Sequence, residues 1–135
     1  MEPARPHVNA AIFCRGIVRE ADGLFGIFGM VGELIRVAGS GRPLPYADLK
    51  LAILVAACGF TGTTRLTVEE PGAEPRPGVD VEVSLTDPEQ LAWTLAPVPL
   101  PADFSALRYF DVALDGVFAM RVPLPVSVVR PDRQG

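Results

Sequence analysis

The segment LRYFDVALDGVFAMRVPLPVSVV, residues 107–129, has two runs of alternating apolar and polar side chains, one on each side of Asp115-Gly116. A period of two is typical of a β-strand that buries one face. The Asp-Gly pair between the two runs is a turn signal. The segment therefore predicts a β-hairpin near the end of the chain.

The register of this hairpin depends on which side chains share a face. A two-residue loop would place Asp111 opposite Met120 and would put charge on both faces, which is costly where one face is buried. A three-residue loop over 114–116, with Gly116 left-handed as a bulge, separates the faces and leaves Asp111 diagonal to Arg121. We predict this second register, in which the inward side chains are Phe110, Val112, Phe118, Met120 and Val122.

Upstream, 14 prolines and 13 glycines divide the chain into short segments. Segments 7–20 and 24–37 are rich in β-branched and aromatic residues and flank the turn sequence EADG, so they predict a first hairpin with Gly23 at positive φ. The segments 48–60 and 64–70, joined by TGT, predict a second hairpin. The segments 79–85 and 91–98 predict two further strands.

The stretch YADLKLAILVAAC, residues 46–58, is ambiguous because it contains several good helix formers. Periodicity alone does not separate a buried strand from a buried helix. We favour a strand buried on both faces, since Pro43, Pro45 and Gly59 bound the stretch tightly. Taken together, the segments predict an all-β, immunoglobulin-like antiparallel β-sandwich of seven to eight strands. We expect one domain over residues 1–130 and a short polar tail over 131–135.

The composition excludes several classes of protein. The chain is 49% hydrophobic and 21% charged, so it is expected to fold, and 16 acidic against 12 basic residues argue against a nucleic-acid partner. Neither a signal peptide nor a transmembrane segment is recognisable, and we predict a cytoplasmic protein without a membrane partner. Cys14 and Cys58 lie in apolar sequence and are predicted to be two buried thiols.

Few residues are suited to catalysis. His7 is the single histidine and stands near the chain start, and no serine has a nucleophile-elbow context. We therefore predict no enzyme, no cofactor and no metal site. Two binding alternatives stay open: a calcium site in the acidic segment 69–89, and a small-ligand pocket around Trp93 and Tyr109.

The stretches AAIFCRGIVREADGLFGIFGMVGEL and YFDVALDGVFAMRVPLPVSV resemble a family of small bacterial proteins with no assigned activity. These proteins open with a strand containing Phe-Cys, turn at Asp-Gly and end in a strand-Asp-Gly-strand hairpin. The resemblance implies a compact β-sandwich and transfers no catalytic residue to this chain.

The stretch GLFGIFGMVGE, residues 23–33, has a glycine at every third position but matches no nucleotide-binding loop. As a strand it would carry apolar side chains on both faces, more than one sheet face needs, and such an excess usually meets a partner. We predict a non-catalytic interaction or assembly module that binds a protein or itself, with candidate residues Phe25, Ile27, Val31 and Ile35. The alternative is a ubiquitin-like modifier conjugated through its terminal Gly135.

Overall fold

The computed structural model describes residues 3–28, 35–38, 50–71, 76–97 and 106–129, and every regular element in these ranges is a β-strand. The all-β prediction is confirmed. There are ten described strands, because the predicted segments 7–20 and 24–37 each contain two. The strands are β1 (His7–Cys14), β2 (Gly16–Arg19), β3 (Phe25–Phe28), β4 (Ile35–Ala38), β5 (Lys50–Ala56), β6 (Gly62–Glu70), β7 (Arg76–Leu85), β8 (Leu91–Pro97), β9 (Ala106–Leu114) and β10 (Val117–Val129).

These strands form three sheets. One has the order β1-β5-β8, the second has the order β4-β10-β9-β6-β7, and the third is the hairpin β2-β3. All the pairings are antiparallel except that of β4 with β10, which is parallel. The predicted count of seven to eight strands and the immunoglobulin-like arrangement are therefore not confirmed.

The hydrophobic core takes side chains from both larger sheets. Phe13 from the three-stranded sheet meets Phe110 from the five-stranded sheet edge to face, with ring centroids 5.4 Å apart. Such aromatic pairs add about 0.5–1.5 kcal/mol beyond the area they bury. The rest of the cluster is aliphatic: Leu51, Ile53, Val55, Ala57, Leu66, Val68, Val83, Leu85, Ala96, Val112, Leu114, Val122 and Leu124. One continuous core thus joins the two sheets.

The ambiguous stretch 46–58 contains a strand, because Lys50–Ala56 is β5, the centre of the three-stranded sheet. Leu51, Ala52 and Ile53 are consecutive and fully buried, as expected for a strand covered on both faces. The predicted pairing of this strand with β6 is wrong. The chain reverses at Cys58-Gly59, where Gly59 N donates to Pro88 O (2.8 Å), and β6 then joins the other sheet.

The predicted register of the last hairpin is also wrong. Val117 pairs with Leu114, so the loop has two residues, and both Asp115 (φ 49°) and Gly116 (φ 81°) are left-handed. A bulge between Phe118 and Met120 then shifts the pairing by one residue. This shift, and not a longer loop, keeps the apolar and the charged side chains of the two strands on opposite faces.

Beyond the bulge, the hairpin has the predicted faces. Phe110, Val112 and Val122 are buried, while Asp111 and Arg121 pair directly on the outer face with Oδ1 and Nε 2.7 Å apart. This hydrogen bond raises the pKa of Arg121 above its ordinary value. Phe118, predicted to point inward, precedes the bulge and is exposed.

Candidate binding surfaces

The β2–β3 hairpin carries the first candidate surface. Arg19 and Phe25 are paired neighbours, and the guanidinium carbon of Arg19 lies 5.9 Å from the centre of the Phe25 ring. Val18 pairs with Gly26, which places its side chain on the opposite face, because paired residues share a face and neighbouring residues alternate. Val18, Leu24 and Phe25 are 53%, 64% and 46% exposed, and we term them the hairpin surface.

The residues predicted for interaction do not all meet on this hairpin. Phe25 and Ile27 lie on β3, with Phe25 exposed and Ile27 half-buried. Ile35 begins β4 and pairs with Val126 of β10 in the five-stranded sheet, so it belongs to a different sheet. Val31 and Gly135 lie outside the described residues. Val18 and Leu24 were not predicted, although Ile17 and Val18 are adjacent apolar residues, and a strand must place one of them on each face.

A groove of about 520 Å³ is the second candidate surface. It lies between the N-terminal segment 4–8, Phe60, and the residues on both sides of the Asp115-Gly116 turn. Its apolar walls include Val8 and Phe60, which pack against the core, together with Val117 and Phe118, each 59% exposed. The reversal at Cys58-Gly59 positions Phe60, since Phe60 N donates to Ala57 O (2.9 Å).

The ionisable side chains that line the groove are Arg5, His7 and Asp115. The carboxylate of Asp115 already has two partners: Oδ2 accepts from Thr64 Oγ1 (2.8 Å) and Oδ1 accepts from Arg65 N (2.9 Å). Among the described residues, no hydrogen bond or ion pair engages the guanidinium of Arg5. The groove is therefore lined mainly by apolar side chains, and Arg5 in segment 4–8 adds a positive charge to it.

The small-ligand pocket around Trp93 and Tyr109 stays a prediction, and the groove is not lined by these two residues. Trp93 lies on β8 and Tyr109 on β9, so the two residues belong to different sheets, and neither lines the groove. The guanidinium carbon of Arg121 lies 5.8 Å from the centre of the exposed Tyr109 ring. His7 begins β1, is exposed and lines the groove.

The two cysteines differ. Cys14 is fully buried as predicted, and burial raises the pKa of its thiol, which keeps it in the less reactive protonated form. Cys58 is exposed, which corrects the prediction of two buried thiols. It occupies the turn after β5, where its φ is 50°.

The described residues contain no group of three or more histidine, cysteine, aspartate or glutamate side chains that could hold a metal ion. In the acidic segment, Asp80 is paired with Arg65 and Asp87 Oδ1 accepts from Glu89 N (2.8 Å), while Glu74 lies outside the described residues. No helix capable of crossing a bilayer is found in the part of the chain that the structure describes. Comparison of the chain with protein-family models, curated proteins and solved structures finds no match.

Proposed function

We propose that this protein is a non-catalytic assembly module of the bacterial cytoplasm that associates with a second copy of itself through the hairpin surface. The observation that carries the proposal is the concentration of Val18, Leu24 and Phe25 on one two-stranded hairpin, with exposed apolar side chains on both of its faces. A sheet of a soluble protein needs one apolar face, toward its core. The second apolar face is surplus to folding and suits a contact with another molecule.

Isolated two-stranded hairpins are marginally stable in water, and additional strands stabilise them. Strand β3, Phe25–Phe28, carries no charged residue, so two copies can approach edge to edge without opposing like charges. A two-fold contact needs only one self-complementary surface. These three points favour a second copy of this chain, and not an unrelated protein, as the partner that covers the hairpin surface.

The fold that best accommodates this function is a two-layer β-sandwich. The single core shared by the three-stranded and five-stranded sheets supports it, as does the Phe13–Phe110 contact between them. In this architecture the sheets supply a rigid scaffold and the β2–β3 hairpin presents the contact surface. An immunoglobulin-like order of strands stays a prediction, and so does the conjugation of Gly135.

Light scattering coupled to gel filtration tests the proposal. Light scattering is expected to give the wild-type protein a mass of twice 14.4 kDa, the mass of one chain. Phe25→Glu is expected to give the monomer, because it brings two carboxylates together across the two-fold axis. Val117→Glu is the matched control, since Val117 is equally apolar and exposed but lies on the other hairpin, and it should stay dimeric. A wild-type protein that is monomeric at several hundred micromolar would contradict the proposal.

A further inference from the structure

The groove beside the Asp115-Gly116 turn shares no residue with the hairpin surface, and it has the properties of a small-molecule site. Its volume of about 520 Å³ is within the range of 300–1,000 Å³ that is usual for such sites. Three parts of the chain that are distant in sequence converge on it: the segment 4–8, Phe60 and the last hairpin. It is therefore a product of the tertiary fold and not of one loop.

The walls of the groove are mostly apolar. Phe60 and Val8 form the inner part, where they pack against the core. Val117 and Phe118 form the outer part, where each is 59% exposed, and Phe118 pairs with Ala113 in the turn-proximal register that precedes the bulge. An apolar ligand body between Phe60 and Phe118 would cover exposed aromatic surface, at about 25 cal/mol for each Å² removed from water.

The charges select the sign of the ligand. Among the described residues that line the groove, Asp115 supplies the carboxylate, and neutral donors, Thr64 Oγ1 and Arg65 N, hold both of its oxygens at the turn. The guanidinium of Arg5 carries a permanent positive charge and can form two parallel hydrogen bonds to a carboxylate. The part of the groove beside Arg5 is thus complementary to the anionic head of a molecule whose apolar body lies against the apolar walls.

We propose that this groove binds a small amphipathic monocarboxylate, with the carboxylate on Arg5 and the apolar chain against Phe60, Val117 and Phe118. Decanoate is a suitable probe because it has one carboxylate and an unbranched alkyl chain. Binding requires no covalent step. The proposal is independent of self-association, since Arg5 and Phe118 lie outside the hairpin surface.

The test is a titration of the ¹⁵N-labelled full chain with decanoate, below its micelle concentration, followed by amide chemical shifts. We expect saturable shifts confined to the groove, at the amides of His7, Val8, Phe60 and Val117–Ala119. Decanol has the same chain without the charge, and it should bind about tenfold more weakly, which corresponds to the loss of about 1.4 kcal/mol from one charge-assisted contact. Decylamine has the same chain with the opposite charge, and it should bind more weakly than decanoate.

Two variants identify the contacts. Arg5→Gln and Phe118→Ser should each weaken decanoate binding about tenfold, and both residues are exposed, so the fold is expected to be retained. Arg19→Gln is the matched control, because Arg19 also lies beside a phenylalanine but on the β2–β3 hairpin. The proposal is overturned if decanoate causes no saturable shifts, if Arg5→Gln binds as tightly as wild type, or if decylamine binds equally well. Unchanged spectra outside the groove verify that the variants are folded.

Discussion

The β2–β3 and β9–β10 hairpins both turn at Asp-Gly, yet they adopt different turns. In β2–β3, Gly23 N donates to Glu20 O (3.0 Å) and Glu20 N donates to Leu24 O (2.8 Å), with Gly23 at φ 89°. This is a three-residue loop in which a type I turn is followed by a left-handed glycine. In β9–β10 both Asp115 and Gly116 are left-handed, which is the type I′ turn of a two-residue loop.

The surroundings of the two aspartates explain the difference. The carboxylate of Asp22 accepts a hydrogen bond from its own loop, from Leu24 N (3.0 Å). The carboxylate of Asp115 instead accepts from Thr64 Oγ1 and Arg65 N on β6, and Asp115 N donates to Arg65 O (2.8 Å). These contacts with a neighbouring strand hold Asp115 in a conformation that non-glycine residues seldom adopt. The same dipeptide thus follows local preference in one hairpin and tertiary contacts in the other.

The largest expected difference between the hairpins concerns side-chain burial. Leu124 on β10 is fully buried, whereas Val18 on β2 is half exposed. Leu124→Ala should lower the free energy of unfolding by about 2–5 kcal/mol, the usual effect of a large-to-small change in a core. Val18→Ala should change it by less than about 0.5 kcal/mol, as is usual for surface positions. Urea unfolding followed by the fluorescence of Trp93 measures both, and equal losses would contradict the described difference in burial.

A smaller effect is expected at the two aspartates. Asp115→Ala removes both carboxylate contacts, leaves the hydroxyl of buried Thr64 without this partner, and places an alanine at positive φ. We expect it to destabilise the protein by about 2–4 kcal/mol. Asp22→Ala removes one exposed hydrogen bond and should cost less than about 1 kcal/mol. The comparison fails if Asp22→Ala proves as damaging as Asp115→Ala in the same urea experiment.

The two turn glycines should behave alike. Gly23 and Gly116 both have positive φ, and a Cβ added at either position would have no heavy atom within 4 Å. Alanine should therefore cost only backbone strain, about 1–2 kcal/mol at each site. Thermal unfolding by circular dichroism gives the two shifts. A much larger loss at Gly116 would mean that tertiary contacts constrain the whole turn and not Asp115 alone.

The smallest expected effect involves the side chain of Arg65, whose backbone anchors Asp115. Its Nε donates to both oxygens of Asp80 at 2.7 Å, and this hydrogen bond lowers the pKa of Asp80 below its ordinary value of 3.8. The stabilisation is present above pH 3.8 and is lost as the pH falls through the lowered pKa. Both side chains are exposed, so the contribution is small and screened by salt.

Asp80→Asn tests this pair. Wild type should be slightly more stable than the variant at pH 6, and the difference should vanish as the pH is lowered well below 3.8. Urea unfolding at a series of pH values measures the difference. A gap that grows toward acid pH would show that the pair does not act as described.

Local sequence determined the conformation of most segments. Alternation over 107–129, β-branched residues in 7–20 and Asp-Gly at two turns predicted strands and reversals, because a period of two and a tolerance of positive φ are properties of a few neighbouring residues. The exposure of Phe25 was also expected from local sequence, because residues 23–33 include more apolar side chains than one face of a strand can bury.

The tertiary structure decided which strands pair and which turn forms. The pairing of β5 with β1 and β8 depends on hydrogen bonds between segments distant in the sequence, and no local pattern specifies those partners. The type I′ turn at Asp115-Gly116 depends on Thr64 and Arg65, 51 and 50 residues away. The groove likewise depends on the tertiary fold, which brings Phe60 and the exposed ring of Phe118 to the same cavity. A periodic pattern can place a side chain on a face, but the register that decides whether the face is covered comes from contacts across the whole chain.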